Sequence, residues 1–451
     1  LSTHTGTTAI NDIAGNDDFY VADTANTLAS IYGQLIIDSG SDTDTLTIEN
    51  SGATTEQSGT LTDASLTGFG LASTLDFLGF DAITLNLGSG VDHFSLDKSI
   101  AGQTTVSTGG GNDDIYINAI GTLVLNSGAG KDNINIEAVG AVSSVNMGSG
   151  DDKVHVNYNK SGNQTFINGI AGELTIDGNT GSDLYEIGLA GTGDSLININ
   201  DTGSLTDSTD AGVDNMFIYG TDNNDVFMFR PGAISALSVD ADGKQIPDKI
   251  ERVNYDGEIN GSVAVYGREG NDTFVFDSTS SKISAFGGAG DDTFQIGQMF
   301  NSVRQANAGL AIGDRFNTTA TTLGELSDGI NFATSLFGGI GSDTFSVYRN
   351  EAELAMYGNE DDDIFVVRAF VQINPDDVKA PISLDGGQGS DFISYTINSP
   401  VSIEGGDGFD TLTVIGTEFD DEFVVSEEGV YGAGLFVQYS GLEKVTVDAL
   451  Q

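Results

Sequence analysis

The sequence predicts an all-β fold, a parallel β-helix or β-roll-like solenoid with about 20-residue coils, from three observations. Within groups a Gly-Asp motif returns every 19–21 residues, the runs between motifs alternate apolar and polar residues, and 61 of the 451 residues are glycine. That glycine content is about twice the usual share, so backbone turns must be frequent. Tandem β-sandwich modules are the alternative all-β architecture.

The elements follow in chain order. Aligned on the final Asp, the motif reads "GSGVDHF" at Asp92, "GGGNDDI" at Asp113, "GAGKDNI" at Asp132 and "GSGDDKV" at Asp152. It returns as "GREGNDTF" at Asp272 and "GGAGDDTF" at Asp292, "GGIGSDTF" at Asp343 and "GNEDDDIF" at Asp363, then "GGQGSDFI" at Asp391 and "GGDGFDTL" at Asp410. Between turns lie two short runs, as in "DNINIEAVGAVSSVNMGSGD", where Ile134 and Ile136 alternate with Asn133 and Asn135. A period of two is a strand signal. One such unit cannot bury its apolar side alone, whereas stacked units share a continuous core.

A longer period overlies the short one. Asp17 and Asp113 lie 96 apart in similar contexts, "GTDNNDVFMF" at Gly220 matches "GTEFDDEFVV" 196 residues later, and "IERV" at Ile250 matches "LEKV" at Leu442. The later copy stops before its next expected Asp, and "LSTHTGTTAI" has no leader-like features, so a segment of a longer array is expected. The organisation expected is a degenerate unit with an irregular segment over 1–80, regular coils over 81–200, and a divergent unit with a loop over 201–261. Coils over 262–300, a loop insertion over 301–335, and coils with a terminal repeat unit over 336–451 complete it. Such long irregular stretches inside an array are expected to be functional protrusions or mobile insertions.

Charge narrows the function. Acidic residues outnumber basic ones 67 to 16, a net charge of -51, which excludes nucleic acid and insertion into an anionic membrane as natural partners. The excess is mainly aspartate, and residues 1–97 contain no Lys or Arg. Tight turns and hard cations both favour this shorter carboxylate. With no cysteine, disulfides, thiolate metal sites and Cys nucleophiles are excluded.

The Gly-Asp turn therefore suggests a cation site. Glycine supplies the tight turn and its carbonyls, Asp supplies charged oxygen on a short stem, and calcium takes six to eight oxygen ligands. The expected ligands are Asp92, Asp113, Asp132, Asp152, Asp272, Asp292, Asp343, Asp363, Asp391 and Asp410. They would act with carbonyls of Gly88, Gly90, Gly109, Gly111, Gly128, Gly130, Gly148, Gly150, Gly288, Gly290, Gly339, Gly341, Gly387, Gly389, Gly406 and Gly408. Asp114, Asp151, Asp291 and Asp362 are companion acids, and Asp17, Asp44, Asp183, Asp225 and Asp421 are further candidates. The competing reading is that Asp only favours turn geometry.

The stretches "GGAGDDTFQ", "GGIGSDTFS" and "LDGGQGSDFI" resemble the GGxGxDxUx nonapeptide of the repeats-in-toxin (RTX) proteins. The resemblance implies a calcium-loaded β-roll in secreted bacterial proteins, and the longer units look like those of large bacterial surface and matrix proteins. Here the motif comes once per roughly 20 residues rather than back to back, which favours a wider coil with calcium along one edge.

Other chemistry has little sequence support. His4, His93 and His155 lack neighbouring ligands, and no GxSxG, HExxH or Walker loop occurs. A solenoid polysaccharide lyase or epimerase could use Tyr116, Lys153, His155 and Tyr158, given a groove that gathers basic and aromatic residues. Phe94, Phe274, Phe294, Phe345, Phe365 and Phe423, each two residues after a turn Asp, are expected to stack inward. The function expected is that of a non-enzymatic, extracellular, calcium-stabilised structural repeat protein at a bacterial cell surface: a surface layer, matrix fibre or adhesin stalk. Its expected partners are copies or neighbouring repeats of itself, end to end. The alternative is a calcium-dependent adhesin that binds extracellular glycans through the 300–335 insertion.

Overall fold

The computed structural model describes residues 6–11, 14–203, 212–240, 245–300, 315–321, 324–368, 381–396, 401–416, 422–432 and 435–449. All regular structure in them is β, and the strands pair predominantly in parallel, as a solenoid requires. The chain divides into two compact units. One comprises residues 1–189, 193–216 and 253–261, the other residues 190–192, 217–252 and 262–451.

In the first unit each coil contributes one strand to each of two parallel ladders. Asp92–Leu96, Asp114–Ala119, Asn133–Val139, Lys153–Val156 and Leu184–Gly188 form one, pairing in sequence order. Ala82–Asn86, Gln103–Ser107, Thr122–Asn126, Ser143–Asn146, Glu173–Asp177 and Ser195–Asn200 form the other. The register sets like on like, Ile115 beside Ile134 and Ile117 beside Ile136, and all four are buried. Alternation thus builds the core directly, because a strand turns every second side chain to the same face.

The second unit repeats this plan with aromatic filling. Val226–Arg230, Thr273–Phe276, Thr293–Ile296, Thr344–Val347, Ile364–Val367, Phe392–Thr396 and Thr411–Ile415 make one parallel ladder. Val263–Glu269, Ile283–Ala289, Thr334–Ile340, Leu354–Glu360, Ile382–Gly389 and Val401–Gly408 make its facing partner. Phe274, Phe294, Phe345 and Phe365 stack inward with ring centroids 4.7–4.8 Å apart. That spacing equals the strand separation, so the backbone holds the rings in contact. Phe94 is buried as expected, whereas Phe423 is only half-buried and stands outside this stack. A second file, Tyr266, Phe286, Phe337 and Tyr357, stacks at 4.7–4.8 Å on the half-exposed side of the facing ladder.

The irregular stretches are antiparallel excursions that satisfy their own hydrogen bonds. Gln57–Leu61, Ser65–Gly68 and Leu75–Leu78 form a meander. Val226–Arg230 and Ala233–Val239 form a hairpin. Met299–Phe300, just before the expected 301–335 insertion, forms a small sheet with Gly324–Ser327 and Thr318–Thr321 inside it; residues 301–314 and 322–323 of that insertion lie outside the described residues.

Phe345 touches a ring above and a ring below, so its removal breaks two stacked contacts and leaves a cavity between rigid strands. Phe345→Ala is expected to cost about 3–5 kcal/mol in urea unfolding, whereas truncating the half-exposed Phe337 costs less.

Candidate functional site

The turn aspartates come together, and they do so inside the molecule. Asp92, Asp113, Asp132, Asp152, Asp272, Asp292, Asp343, Asp363, Asp391 and Asp410 are all at most 2% exposed. Each opens the strand that follows its turn, and all but Asp92 accept through the side chain from the backbone of the coil before. In the first unit the N–H of Asp92 donates to Asp113 Oδ1 (2.8 Å), that of Asp113 to Asp132 Oδ1 (2.9 Å), and that of Asp132 to Asp152 Oδ1 (2.8 Å). The file continues through Asp152 to Asp183 and Asp183 to Asp214, and ends where Asp214 N–H donates to Asn260 Oδ1.

In the second unit the same bond runs from Asp225 through Asp272, Asp292, Asp343, Asp363 and Asp391 to Asp410, at 2.7–2.8 Å throughout. Glu443 closes it, accepting from Asp410 N–H at 2.7 Å. Glu443 is the acid of "LEKV", and its counterpart in "IERV", Glu251, is buried and accepts from Ala190 N–H and Thr192 N–H. The repeated Glu is therefore a clasp of the same chemical kind.

The neighbouring position clasps in the opposite direction. Asn112 Oδ1 accepts from Lys131 N–H, Asp151 Oδ1 from Ser182 N–H, Asp291 Oδ1 from Ser342 N–H and Asp362 Oδ1 from Ser390 N–H, in each case one coil further on. These residues are exposed or nearly so. Three of the four companion acids thus hold the next coil, while Asp114 is exposed and sits 3.1 Å from His93 Nδ1.

Several glycine carbonyls expected to face a cation run along the stack instead. Those of Gly88, Gly109, Gly128 and Gly148 accept from the N–H groups of Gly110, Ala129, Ser149 and Thr180 in the next coil. The coils pack so closely that a Cβ on Gly130 (φ +142°) would lie 1.6 Å from the Gly111 carbonyl oxygen. Glycine is obligatory there for clearance as well as for φ.

The second carboxylate oxygen is what the ladder leaves over. Oδ2 of Asp92, Asp152, Asp272, Asp292, Asp343, Asp363, Asp391 and Asp410 is buried without a hydrogen-bond partner. In the second unit it points at the glycine five residues before its own Asp. A Cβ on Gly267, Gly287, Gly338, Gly358 or Gly386 would lie 2.0–2.2 Å from that oxygen and 2.3–2.7 Å from the corresponding glycine carbonyl of the next coil. A carboxylate oxygen and a carbonyl oxygen of the next coil therefore both approach one glycine at each of these five corners, closer than any side chain there would allow. Two electronegative atoms brought to one corner repel, and a proton on the carboxyl relieves it. The first unit differs, because Leu87, Thr108, Ser127 and Met147 occupy the equivalent position before Asp92, Asp113, Asp132 and Asp152.

One rung of the first unit gathers more oxygen. Asp183, Asp201 and Asp214 are buried with carboxylate oxygens within 4.8 Å of one another. Gly178 stands beside them, and a Cβ there would lie 2.1 Å from Tyr185 Oη, 2.5 Å from Asp183 Oδ2 and 3.1 Å from Asp201 Oδ1. Burial, with the Asp201, Asp183 and Asp214 charges, pushes the Tyr185 phenol up. Asp201 and Asp214 were not among the sequence candidates, because neither follows a Gly-x-Gly turn. Asp17 and Asp44 extend the pattern: Asp17 N–H donates to Asp44 Oδ1 and Asp44 N–H to Asp81 Oδ2. Their strands enter the other ladder of this unit from the one that Asp92 enters, so aspartate files occupy both ladders, contrary to the single edge expected. Asp421 lies outside the described residues.

Burial, partly opposed by the axial hydrogen bond, raises the ladder carboxyls. Asp292 and Asp391 are pushed up to about 6, Asp343 to about 7, and Asp272 and Asp363 to about 8. In the first unit burial takes Asp92 and Asp152 to about 7. No protein-family model matches this chain, and no curated protein matches it.

Unfolded carboxyls ionise near 3.8. Between about pH 4 and pH 8 the folded chain accordingly holds more protons than the unfolded chain, and stability falls as pH rises. With divalent ions chelated, the melting temperature is expected to be higher at pH 5 than at pH 8. Asp343→Asn, which keeps the Oδ1 acceptor and gives the convergent space an amide N–H, should flatten that slope and raise stability at pH 8. Melting curves of both proteins across this range check it.

Proposed function

We propose that this chain is a calcium-stabilised structural repeat protein that works outside the cell, as part of a surface layer, matrix fibre or adhesin stalk, and performs no catalysis. The observation that carries the reading is the file of buried carboxylates with one oxygen hydrogen-bonded and the other turned toward a carbonyl of the next coil. A proton resolves that repulsion below the raised pKa. At neutral pH a hard divalent cation does it better, since calcium accepts carboxylate and carbonyl oxygen together.

The residues that would hold such ions are Asp272, Asp292, Asp343, Asp363 and Asp391, with the carbonyls of Gly287, Gly338, Gly358, Gly386 and Gly405 in the coils that follow. The Asp183, Asp201 and Asp214 group offers a further, carboxylate-rich place. For Asp92, Asp113, Asp132 and Asp152, the larger residue at the corner leaves the axial hydrogen bond as the better-supported role. A bound cation would tie consecutive coils and offset part of the chain's charge of -51. Since the ion binds the folded state selectively, its concentration becomes folding free energy, about 2.7 kcal/mol per site at a hundred times Kd. A surface outside the cell, where calcium is abundant, suits that dependence, and end-to-end association of such arrays is the assembly it would serve.

Thermal melting at pH 7.5 during calcium titration, with magnesium and potassium as controls, tests this reading. Calcium is expected to raise the melting temperature with saturation, magnesium less, and potassium only at high ionic strength. Asp343→Asn combined with Asp363→Asn should reduce the calcium increment while leaving the metal-free fold intact. Equal rescue by potassium, or an increment untouched by both substitutions, would overturn it.

A further inference from the structure

The first unit carries a groove that the ladder does not use. It has a volume of about 410 Å3 and lies on the outer face of the ladder that Asp92 enters, lined by His93, Asp114, Tyr116, Asn133, Asn135 and Lys160 among others. Such a volume falls in the lower part of the range of small-ligand sites, about 300–1,000 Å3. Its floor follows from register. Asp114 pairs with His93 and with Asn133, and Asn135 pairs with Tyr116 and with His155, so outward-pointing polar and aromatic side chains from successive coils lie in rows.

Its wall comes from an insertion. Asp152 and Asp183 are 31 residues apart, where the turns from Asp92 to Asp152 are separated by 19–21, and the extra residues fold back as an ordered loop. Thr165 N–H donates to the Asn157 carbonyl, Asn163 N–H and Ser161 N–H donate to Asn159 Oδ1, and Asn157 Nδ2 donates to the Gly188 carbonyl. The loop carries Lys160 over the Tyr116 ring at 5.3 Å and onto Asp97 Oδ1 at 2.9 Å. Thus the extra residues of this coil supply one wall of the groove.

The basic residues mark the same place. The four Lys and Arg residues within 1–200 are Lys98, Lys131, Lys153 and Lys160, all in the coils around it. Within the groove each basic side chain already meets carboxylate: Lys160 meets Asp97, and His93 lies beside Asp114 and Glu56. Tyr116 Oη donates to Glu137 Oε2 at 2.5 Å, and the amide oxygen of Asn135 has no protein partner. The surface is therefore rich in paired donors and acceptors around one aromatic ring, with more carboxylate than cation. An anionic ligand would meet repulsion, whereas sugar hydroxyls both donate to carboxylate and amide oxygens and accept from amide and ammonium groups.

We infer that this groove binds a neutral oligosaccharide, with Tyr116, Asn133 and Asn135 as its floor and Lys160 as its wall. The site is distinct from the 300–335 insertion and independent of any cation in the ladder. Calorimetric titration of the full chain, in calcium and again in chelator, with cellohexaose, maltohexaose, mannohexaose, N-acetylchitohexaose and hexagalacturonate tests it. At least one neutral hexasaccharide is expected to bind, and Tyr116→Ala and Asn135→Ala each to weaken it at least about tenfold, or about 1.4 kcal/mol. Lys98→Ala, whose partner Asp63 is outside the groove, should bind as the parent does. Tyr116→Phe retains the ring if the alanine variant melts early, and it should lose part of the affinity through the hydroxyl alone. Failure of every neutral sugar, tighter binding of hexagalacturonate, or parent affinity in correctly folded Tyr116 and Asn135 variants would overturn the inference.

Discussion

The hydrogen bond from one aspartate's backbone N–H to the buried carboxylate of the next coil is the constraint on which the rest depends. A parallel stack leaves its turns poorly held, since sheet hydrogen bonding lapses where the chain changes direction. Here a charged acceptor completes the lapse, and bonds of this kind are shorter and stronger than neutral ones. Because the side chain comes from the following coil, each bond fixes the register of two rungs at once. The adjacent Asn or Asp reaches the opposite way, so neighbouring coils are clasped in both directions by two consecutive residues.

That arrangement places charge in an apolar interior, which is stable only when something compensates it. The axial N–H supplies one part. The remaining oxygen has no such partner, and under the proposed function it is where protons and cations would act. Glycine at the corner, as at Gly287 or Gly358, lets that oxygen approach the backbone where no Cβ fits, while Met147 or Leu87 puts a side chain at the equivalent position. Two units with one backbone plan thereby differ in what lines the second carboxylate oxygen.

Much of this was legible in the residues. The recurrence of Gly-Asp turns and the alternation around Ile134 and Ile136 indicate parallel coils, and the Phe two residues after Asp272, Asp292, Asp343 and Asp363 indicates the inward stack. The inward direction of the aspartates was not legible, because an acid in a turn reads as solvent-facing until the next coil's N–H is placed beside it. The glycine at the corner is the first of the "GG" at Gly287, Gly338, Gly386 and Gly405, yet it carries no separate signal in the sequence. Asp201 and Asp214 are contributed from outside the motif, and only the folded register brings them to Asp183. Likewise, the groove beside Tyr116 is walled by the extra residues between Asp152 and Asp183, whose meaning depends on where they fold back.

The carboxylate file also keeps step across segments of very unequal length. Consecutive members are 20 residues apart at Asp272 and Asp292, 51 apart at Asp292 and Asp343, and 28 apart at Asp363 and Asp391, yet the bond stays at 2.7–2.8 Å. Whatever chain intervenes, the array resumes on the same beat. Such a scaffold lets mutation splice new modules between rungs without relearning how to fold, so diversification can proceed by insertion while the axis is conserved.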